Sequence, residues 1–416
     1  MKSKAFQQYL GNYAEVESQK LQLFTTHYDY VVVIPACNEV SNFLESIFSS
    51  IDDNYLIILV INSPNGHIQW QKNNQLVIDY LQRKSKTQQE ISDAFKLFKF
   101  NGMQDILLVD RNAESLQINP KQGVGLARKI GADIALKLYM QGFIKYPWIF
   151  STDADVILPE NYFSQIKSLR GGDYSAIVLD FNHFSECSRL SKLQYLYDFK
   201  MRYYLAGIEY GQVGYAYIPL GSTLIASMES YAQVRGFPKR NAGEDFYLLN
   251  KLAKIKPIKY KVDNCVVKIR SRFSDRVPFG TGPAIKKINN LADINDYSYY
   301  SPQCFIYLKL WKLFLETLWS KKGLTIIEPK DKILLKLYHY LDCYSVFTKS
   351  QKQITSLHRW QQFIHQWFDA FKILKTVHFL DKKFERLNYK RLLKEDSFVK
   401  VTSSKLNLII FKHDTN

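Results

Sequence analysis

Trp148-Ile149-Phe150-Ser151-Thr152-Asp153-Ala154-Asp155-Val156 reads as a short buried strand that ends on two carboxylates one residue apart. Successive strand side chains alternate faces, but a chain already turning at Asp153 brings both carboxylates to one spot. Two close carboxylates repel unless something positive lies between them. A hard divalent cation carrying phosphate oxygens meets that demand. An Asp-x-Asp pair is also common in solvated turns, where Asp is favoured, so the neighbouring elements decide its meaning. A second acidic pair, Glu244-Asp245, follows Gly243 at the start of a helix. The positive end of the helix dipole favours acids there, so capping alone is one reading of it. The segment Arg270-Ser271-Arg272-Phe273-Ser274-Asp275-Arg276, closed by Gly280-Thr281-Gly282, has the composition of a diphosphate clamp. Surface ion pairing is the plainer reading of those three arginines.

These residues need a scaffold, and the alternation of elements supplies one. Tyr30-Val31-Val32-Val33-Ile34-Pro35 is a continuous β-branched run, as expected of a strand buried on both faces. It stops at Pro35-Ala36-Cys37-Asn38-Glu39. Further strands are expected over 56–61, ending at Asn62, and over 106–110, ending at Asp110, with helices over about 42–52, 67–84 and from Gly123 to about 140. Residues 85–103 are polar and read as an insertion. Strand–helix alternation predicts a parallel sheet covered by helices, and in such sheets ligands bind beyond the carboxyl ends of the strands. Pro35, Asn38, Glu39, Asn62, Asp110, Asp153 and Asp155 all fall at those ends. Beyond about 303 the pattern becomes helical, with Trp360, Phe363, Ile364, Trp367, Phe368, Phe371 and Leu374 at three- and four-residue spacing, the pattern of a packed core stripe. Leu406-Asn407-Leu408-Ile409-Ile410-Phe411 reads as a final strand.

With 416 residues the chain is long enough for two domains. Its net charge of +17 is uneven: residues 301–416 hold 21 Lys+Arg against 10 Asp+Glu, a surplus of 11, while residues 1–300 hold 35 against 29, a surplus of 6. A basic C-terminal part suits anionic lipid, nucleic acid or a phosphorylated substrate, and equally a solvated helical surface. The five cysteines are scattered without metal-type spacing, which fits a reducing compartment. No apolar run reaches a bilayer-spanning length of about 18 residues, and the first residues lack the apolar core of a signal peptide. The expectation is a cytoplasmic chain, with peripheral attachment to the inner face of the membrane as the alternative.

Taken together, the motifs resemble the family 2 glycosyltransferases of GT-A fold over roughly residues 28–290. Val32-Val33-Ile34-Pro35-Ala36-x-Asn38-Glu39 is similar to that family's first strand and nucleotide loop, and Gly123-x-Gly125-x-Ala127-Arg128 to its Gly-x-x-x-Ala-Arg helix start. Asp153-Ala154-Asp155 stands where its Asp-x-Asp metal motif belongs, and Glu244-Asp245 where its acidic catalytic pair belongs. The resemblance implies an α/β fold with a Rossmann-like GT-A nucleotide-diphospho-sugar transferase domain over 28–295. The residue pattern adds an N-terminal helical lead-in over 1–27 and an appended, mostly helical, basic region over 296–416, which matches no general feature of that family. It implies a metal-dependent, hexosyltransferase-like enzyme that moves a sugar from a nucleotide-diphosphate donor to a hydroxyl acceptor with inversion. In that reading Asp155 binds Mn2+ or Mg2+ with Asp153 in support. Pro35, Ala36, Asn38, Glu39, Asn62, Asp110, Gly123, Arg128 and Asp153 frame the nucleotide, and Arg270, Arg272 and Arg276 take the diphosphate. Asp245 is the first choice for catalytic base and Glu244 the second.

Two departures stand out. Asn62 occupies the place where the family often carries an acid for the uracil ring, and the Gln-x-x-Arg-Trp of processive members is absent. A sugar nucleotidyltransferase is the alternative enzyme, although it calls for a glycine-rich phosphate loop after the first strand, unlike Pro35-Ala36-Cys37-Asn38-Glu39. A non-catalytic adaptor for nucleic acid or membrane explains the charge but not four acids at strand ends and a helix start. No nucleic-acid partner is expected. The acceptor class, whether glycan, lipid or small molecule, stays open, with an anionic membrane surface as a candidate partner.

Overall fold

A computed structural model describes residues 4–21, 24–41, 43–48, 51–92, 95–100, 104–167, 173–262, 264–274, 276–320 and 323–394. In chain order, α1 (Lys4–Asn12) leads to β1 (Tyr30–Ala36), α2 (Phe43–Phe48), β2 (Tyr55–Asn62) and α3 (Ile68–Lys84). A hairpin of β3 (Thr87–Ser92) and β4 (Phe95–Lys99) precedes β5 (Gln104–Arg111), α4 (Gly123–Gln141) and β6 (Trp148–Ser151). Then come β7 (Val156–Ile157), α5 (Ser164–Lys167), β8 (Ala176–Val178), β9 (Asp180–Phe184), α6 (Ser188–Gly211) and β10 (Leu224–Ser227). They are followed by α7 (Met228–Gln233), α8 (Glu244–Leu252), β11 (Ile258–Tyr260), β12 (Val266–Arg270) and α9 (Thr281–Asn289).

Among the described residues the main sheet has nine strands in the order β11-β8-β10-β6-β1-β2-β5-β4-β3. Its centre, β6-β1-β2-β5, is parallel. All of β1 and β2 is buried, as the unbroken runs of Val, Ile and Leu require when both faces are covered. α4 lies on β1 and β2, and a Cβ added to Gly131 would stand 2.4 Å from Val33 Cγ1, so the helix approaches the sheet as closely as its backbone allows. β10 enters antiparallel between β6 and β8, which makes the sheet mixed. A smaller sheet, β7-β12-β9, sets β7 and β12 side by side.

Residues 85–103, expected as an insertion, contain the hairpin that extends the sheet antiparallel from β5. Phe95, Leu97 and Phe98 are buried while Thr87 to Glu90 are exposed. A polar edge strand of this kind hides its unpaired side from other chains, and its polarity masks it in the sequence.

The chain divides into two compact units, Met1–Ser191 with Pro219–Ala284, and Lys192–Ile218 with Ile285–Asn416. The second unit is chiefly helical: α10 (Pro302–Thr317), α11 (Lys332–Tyr340), α12 (Cys343–Gln351), α13 (Leu357–Trp367), α14 (Ala370–Asp381) and α15 (Tyr389–Lys394). Ser301, Asp331, Ser356 and Asp369 each cap a helix start by accepting a backbone N–H, the role these short side chains fill best. Of the aromatic stripe, Trp360 and Phe368 are buried, whereas Phe363, Ile364, Trp367, Phe371 and Leu374 are half-buried; Phe347 of α12 meets Trp360 edge to face at 5.5 Å. Short antiparallel pairs, Ser298–Tyr299 with Leu387–Asn388 and Trp319–Ser320 with Gly323–Leu324, interrupt the expected all-helical pattern. The apolar run 406–411 lies outside the described residues. Among the described residues no helix is long and apolar enough to cross a membrane.

Candidate active site

β1 and β6 lie side by side, and each releases an acid at its carboxyl end. After β1 the chain turns through Asn38, whose φ of +56° Asn tolerates better than most residues. Its backbone N–H donates to Asn74 Oδ1 at 2.7 Å, and its Oδ1 accepts from Asn73 Nδ2 at 2.7 Å. Asn74 also donates to the Asn62 carbonyl at 2.9 Å and to Asn112 Oδ1 at 3.1 Å. One pair of α3 asparagines thus ties together the loops that follow β1, β2 and β5. Pro35, Ala36 and Asn62 are buried beside them. Asp110 accepts the backbone N–H groups of Asn112 at 2.8 Å and Ala113 at 3.3 Å, which shapes its own turn.

Glu39 is buried and held by two arginines. Arg272 donates Nη1–H to Oε2 at 2.6 Å and Nη2–H to Oε1 at 2.7 Å, and Arg276 Nη1 bonds the same Oε1. Burial pushes the Glu39 carboxyl up, yet the two guanidinium groups outweigh it and hold the acid below the ordinary range. Arg272 Nη2 also meets Asp155 Oδ2 at 2.8 Å, and Arg276 Nη1 donates to the Cys37 carbonyl at 2.8 Å. β7 and β12 pair antiparallel directly after Asp155, and the Arg270 N–H donates to the Asp155 carbonyl at 2.8 Å. That pairing delivers Arg272 to the acid. Burial chiefly, with Asp153 and Glu39 adding repulsion, raises Asp155 to about 6 despite Arg272.

The second knot centres on Arg128, whose side chain is 3% exposed. It donates Nε–H to Glu244 Oε1 at 2.9 Å, Nη1–H to Ser151 Oγ at 2.6 Å and Nη2–H to Asp153 Oδ1 at 2.5 Å. Burial works against its charge, and Asp153 and Glu244 overcome that. Room for the fork comes from Gly221, where a Cβ would lie 2.2 Å from Arg128 Nη2. At the start of α4, Gly125 donates its N–H to the Arg240 carbonyl at 2.8 Å, and a Cβ there would lie 2.5 Å from the same oxygen. Gly123 is as tightly placed against Asn241. The glycines let α4 enter flush against the 238–241 loop, which aims Arg128 at α8.

α8 begins after Gly243, whose φ of +72° suits glycine. Glu244 takes the arginine, and burial raises its carboxyl against Arg128's pull. Asp245 Oδ1 accepts its neighbour Phe246's N–H at 2.7 Å. Burial, then the Glu244 charge, pushes Asp245 up to about 7, the range in which a carboxylate serves as a base near neutral pH.

Five acids (Glu39, Asp153, Asp155, Glu244, Asp245) and three arginines (Arg128, Arg272, Arg276) therefore gather in these two knots, two negative charges in excess when all are ionised. Arg270 joins neither. It lies on an exposed face of β12, 5.2 Å from the Phe184 ring, and reaches Glu186 at 3.7 Å. Ser151, Gly221, Asn73 and Asn74 carry no recognisable motif, yet they hold the site's geometry.

Among the described residues no group of three or more His, Cys, Asp or Glu is arranged to hold a metal ion. Asp153 and Asp155 are nevertheless hard oxygen donors. One or two carboxylates suffice for a magnesium-type ion whose remaining ligands are phosphate oxygens and water. The donor set fits a cation that arrives with a phosphorylated substrate.

No protein-family model matches the chain, and no curated protein matches it. A solved structure does. The chain is similar to the mannosyltransferase PcManGT from Pyrobaculum calidifontis, solved in complex with GDP-Man and Mn2+, at 12% identity and a TM-score of 0.34, over 89% of this chain and 94% of that one. At that TM-score the likeness assigns this chain no chemistry.

Proposed function

We propose that the chain transfers a sugar from a nucleoside diphosphate sugar to a hydroxyl acceptor, with inversion at the anomeric carbon. The observation that carries this reading is the convergence of the two arginine–carboxylate knots at the carboxyl ends of β1 and β6, with Asp245 beside them. A cluster of fixed cations and acids suits a reaction whose leaving group gains negative charge. Arg272 and Arg276 bind the diphosphate oxygens, for which the planar fork is suited, while Arg270, turned to Glu186 outside both knots, takes no part. Pro35, Ala36, Asn38, Asn62 and Asp110 frame the base and ribose, with Gly123 and Arg128 closing the other side. Asp155, supported by Asp153, would hold Mn2+ or Mg2+ together with the phosphates, and the bound ion supplies charge neutralisation for the leaving diphosphate.

In the transfer itself the acceptor oxygen forms a bond to the anomeric carbon as the carbon–oxygen bond to the β-phosphate breaks. The electron pair leaves with the nucleoside diphosphate, and the hydroxyl proton passes to the Asp245 carboxylate. Glu244, already engaged by Arg128, positions the start of α8 and contacts the acceptor. General-base catalysis contributes about 10²–10⁴-fold. Asp245→Asn is therefore expected to lose turnover by that factor while binding donor normally, and unchanged turnover would reject the assignment.

A further inference from the structure

Four large apolar side chains stand exposed on the segments that carry this site: Val40 at 68%, Ile68 at 66%, Phe273 at 46% and Phe279 at 57%. Val40 follows Glu39, and Phe273 follows Arg272 in sequence, so the Arg272–Glu39 ion pair brings their two loops together. Phe279 closes the same arginine loop, and a Cβ placed on Gly243 would lie 3.2 Å from its Cε2. That ring therefore flanks the residue before Glu244 and Asp245. Ile68 opens α3, whose Asn73 and Asn74 bind Asn38. Single exposed hydrophobics are ordinary, but several on the rim of one site mark a surface that meets something apolar.

Cations accompany them. Arg270 is 55% exposed beside the Phe184 ring, and the exposed Arg240 lies 4.1 Å from the Tyr247 ring centroid. Aromatic and aliphatic tips interleaved with arginines are the composition of a surface that lies at the headgroup boundary of a bilayer, and anionic lipids draw such cations to the membrane. Residues 1–300, which carry this rim, hold 35 Lys+Arg against 29 Asp+Glu, a surplus of 6 in the same direction. We infer that the rim formed by Val40, Ile68, Phe273 and Phe279 docks on an anionic membrane, and that the acceptor is an amphipathic molecule whose hydroxyl is presented from the lipid surface. The acceptor half of this inference rests on the glycosyl-transfer reading; the docking half stands without it.

The test is flotation of the full chain with phosphatidylcholine vesicles, with and without phosphatidylglycerol, beside the double variant Phe273→Ser/Phe279→Ser. Thermal melting confirms that the variant is folded, and calorimetry with nucleoside diphosphate reads the donor site separately. The expected result is flotation of the unaltered chain with the anionic vesicles, about tenfold or more weaker for the double variant at unchanged nucleotide binding. Equal flotation of both proteins, or no preference for anionic over neutral vesicles, overturns the inference. So does a chain that stays in solution as a dimer which the double variant splits, since the rim then receives a second copy. Loss of nucleotide binding in the unaltered chain instead rejects the catalytic reading and leaves the membrane result to stand by itself.

Discussion

Arg128 donates its Nε–H to Glu244 at 2.9 Å, inside a knot from which water is almost excluded. Because Glu244 takes the guanidinium, its neighbour Asp245 is left to burial and like-charge repulsion, and its affinity for a proton rises. Two adjacent acids thus sit in different electrostatic surroundings. Removing one partner of a buried pair leaves the other charge unpaired, which costs about 3–5 kcal/mol. Arg128→Met, which strands the buried Glu244 and frees the part-exposed Asp153 to water, is expected to destabilise the fold by about that range in urea titration. A loss under 1 kcal/mol would mean that the knot is not buried as described.

Gly221→Ala tests the same knot through space instead of charge. Its new methyl would meet Arg128 Nη2 at 2.2 Å, so the fork must move. The expected loss is about 1–3 kcal/mol, the range of forced overpacking. Donor affinity should fall with it, because Asp153 loses its anchor, and a fully stable variant with unchanged affinity would contradict the geometry.

Asp245 makes two pH dependences run in opposite directions. Its folded-state value of about 7 lies above the ordinary 3.8. Between those values the folded protein holds a proton that the unfolded chain releases, so stability falls as pH rises from about 4 to 7. Turnover rises over the upper part of that window, because the base must be ionised. Asp245→Asn should flatten both profiles, gaining melting temperature above pH 7 relative to the parent and none near pH 4. A parent whose turnover does not change between pH 5 and 8 would argue against Asp245 as the base.

Glu39 behaves in the reverse sense. Its carboxyl is held below the ordinary range, so its ion pairs with Arg272 and Arg276 contribute stability that is present above the unfolded value and lost as pH falls through the folded one. Glu39→Gln should reduce melting temperature at pH 7 and leave it nearly unchanged under strongly acid conditions. Arg272→Lys should not rescue Arg272→Ala in nucleoside diphosphate binding, since an ammonium cannot reproduce a bidentate fork.

The parallel centre of the sheet was legible because β1, β2, β5 and β6 each contain an unbroken apolar run, as a strand buried on both faces requires. The carboxyl-end rule then located Glu39, Asp153 and Asp155 together. Two kinds of feature escaped. β3 is the sheet's edge, where polar residues are favoured, and the short β4 between it and β5 has no period of its own to show without that partner. The pairings that build the site join distant positions, Arg272 with Glu39 and Arg128 with Glu244, and nothing local in a sequence encodes which arginine meets which acid. Lys129 and Asp133, one helical turn apart on α4, illustrate the limit. Their spacing is legible, but the Tyr9 hydroxyl that bonds both, at 2.6 Å to each, comes from α1.

The most direct test of the account is a melting-temperature measurement on the full chain with each nucleoside diphosphate, with and without Mn2+, for the parent and for Asp155→Asn. A ligand that binds only the folded state stabilises it by about 2.7 kcal/mol at a hundred times its Kd. The account predicts that at least one nucleoside diphosphate raises the melting temperature of the parent, more strongly with Mn2+, and that Asp155→Asn abolishes the metal-dependent part. A parent that melts at the same temperature with every nucleoside diphosphate, metal present or absent, would contradict the claim that this site binds a nucleotide-linked sugar.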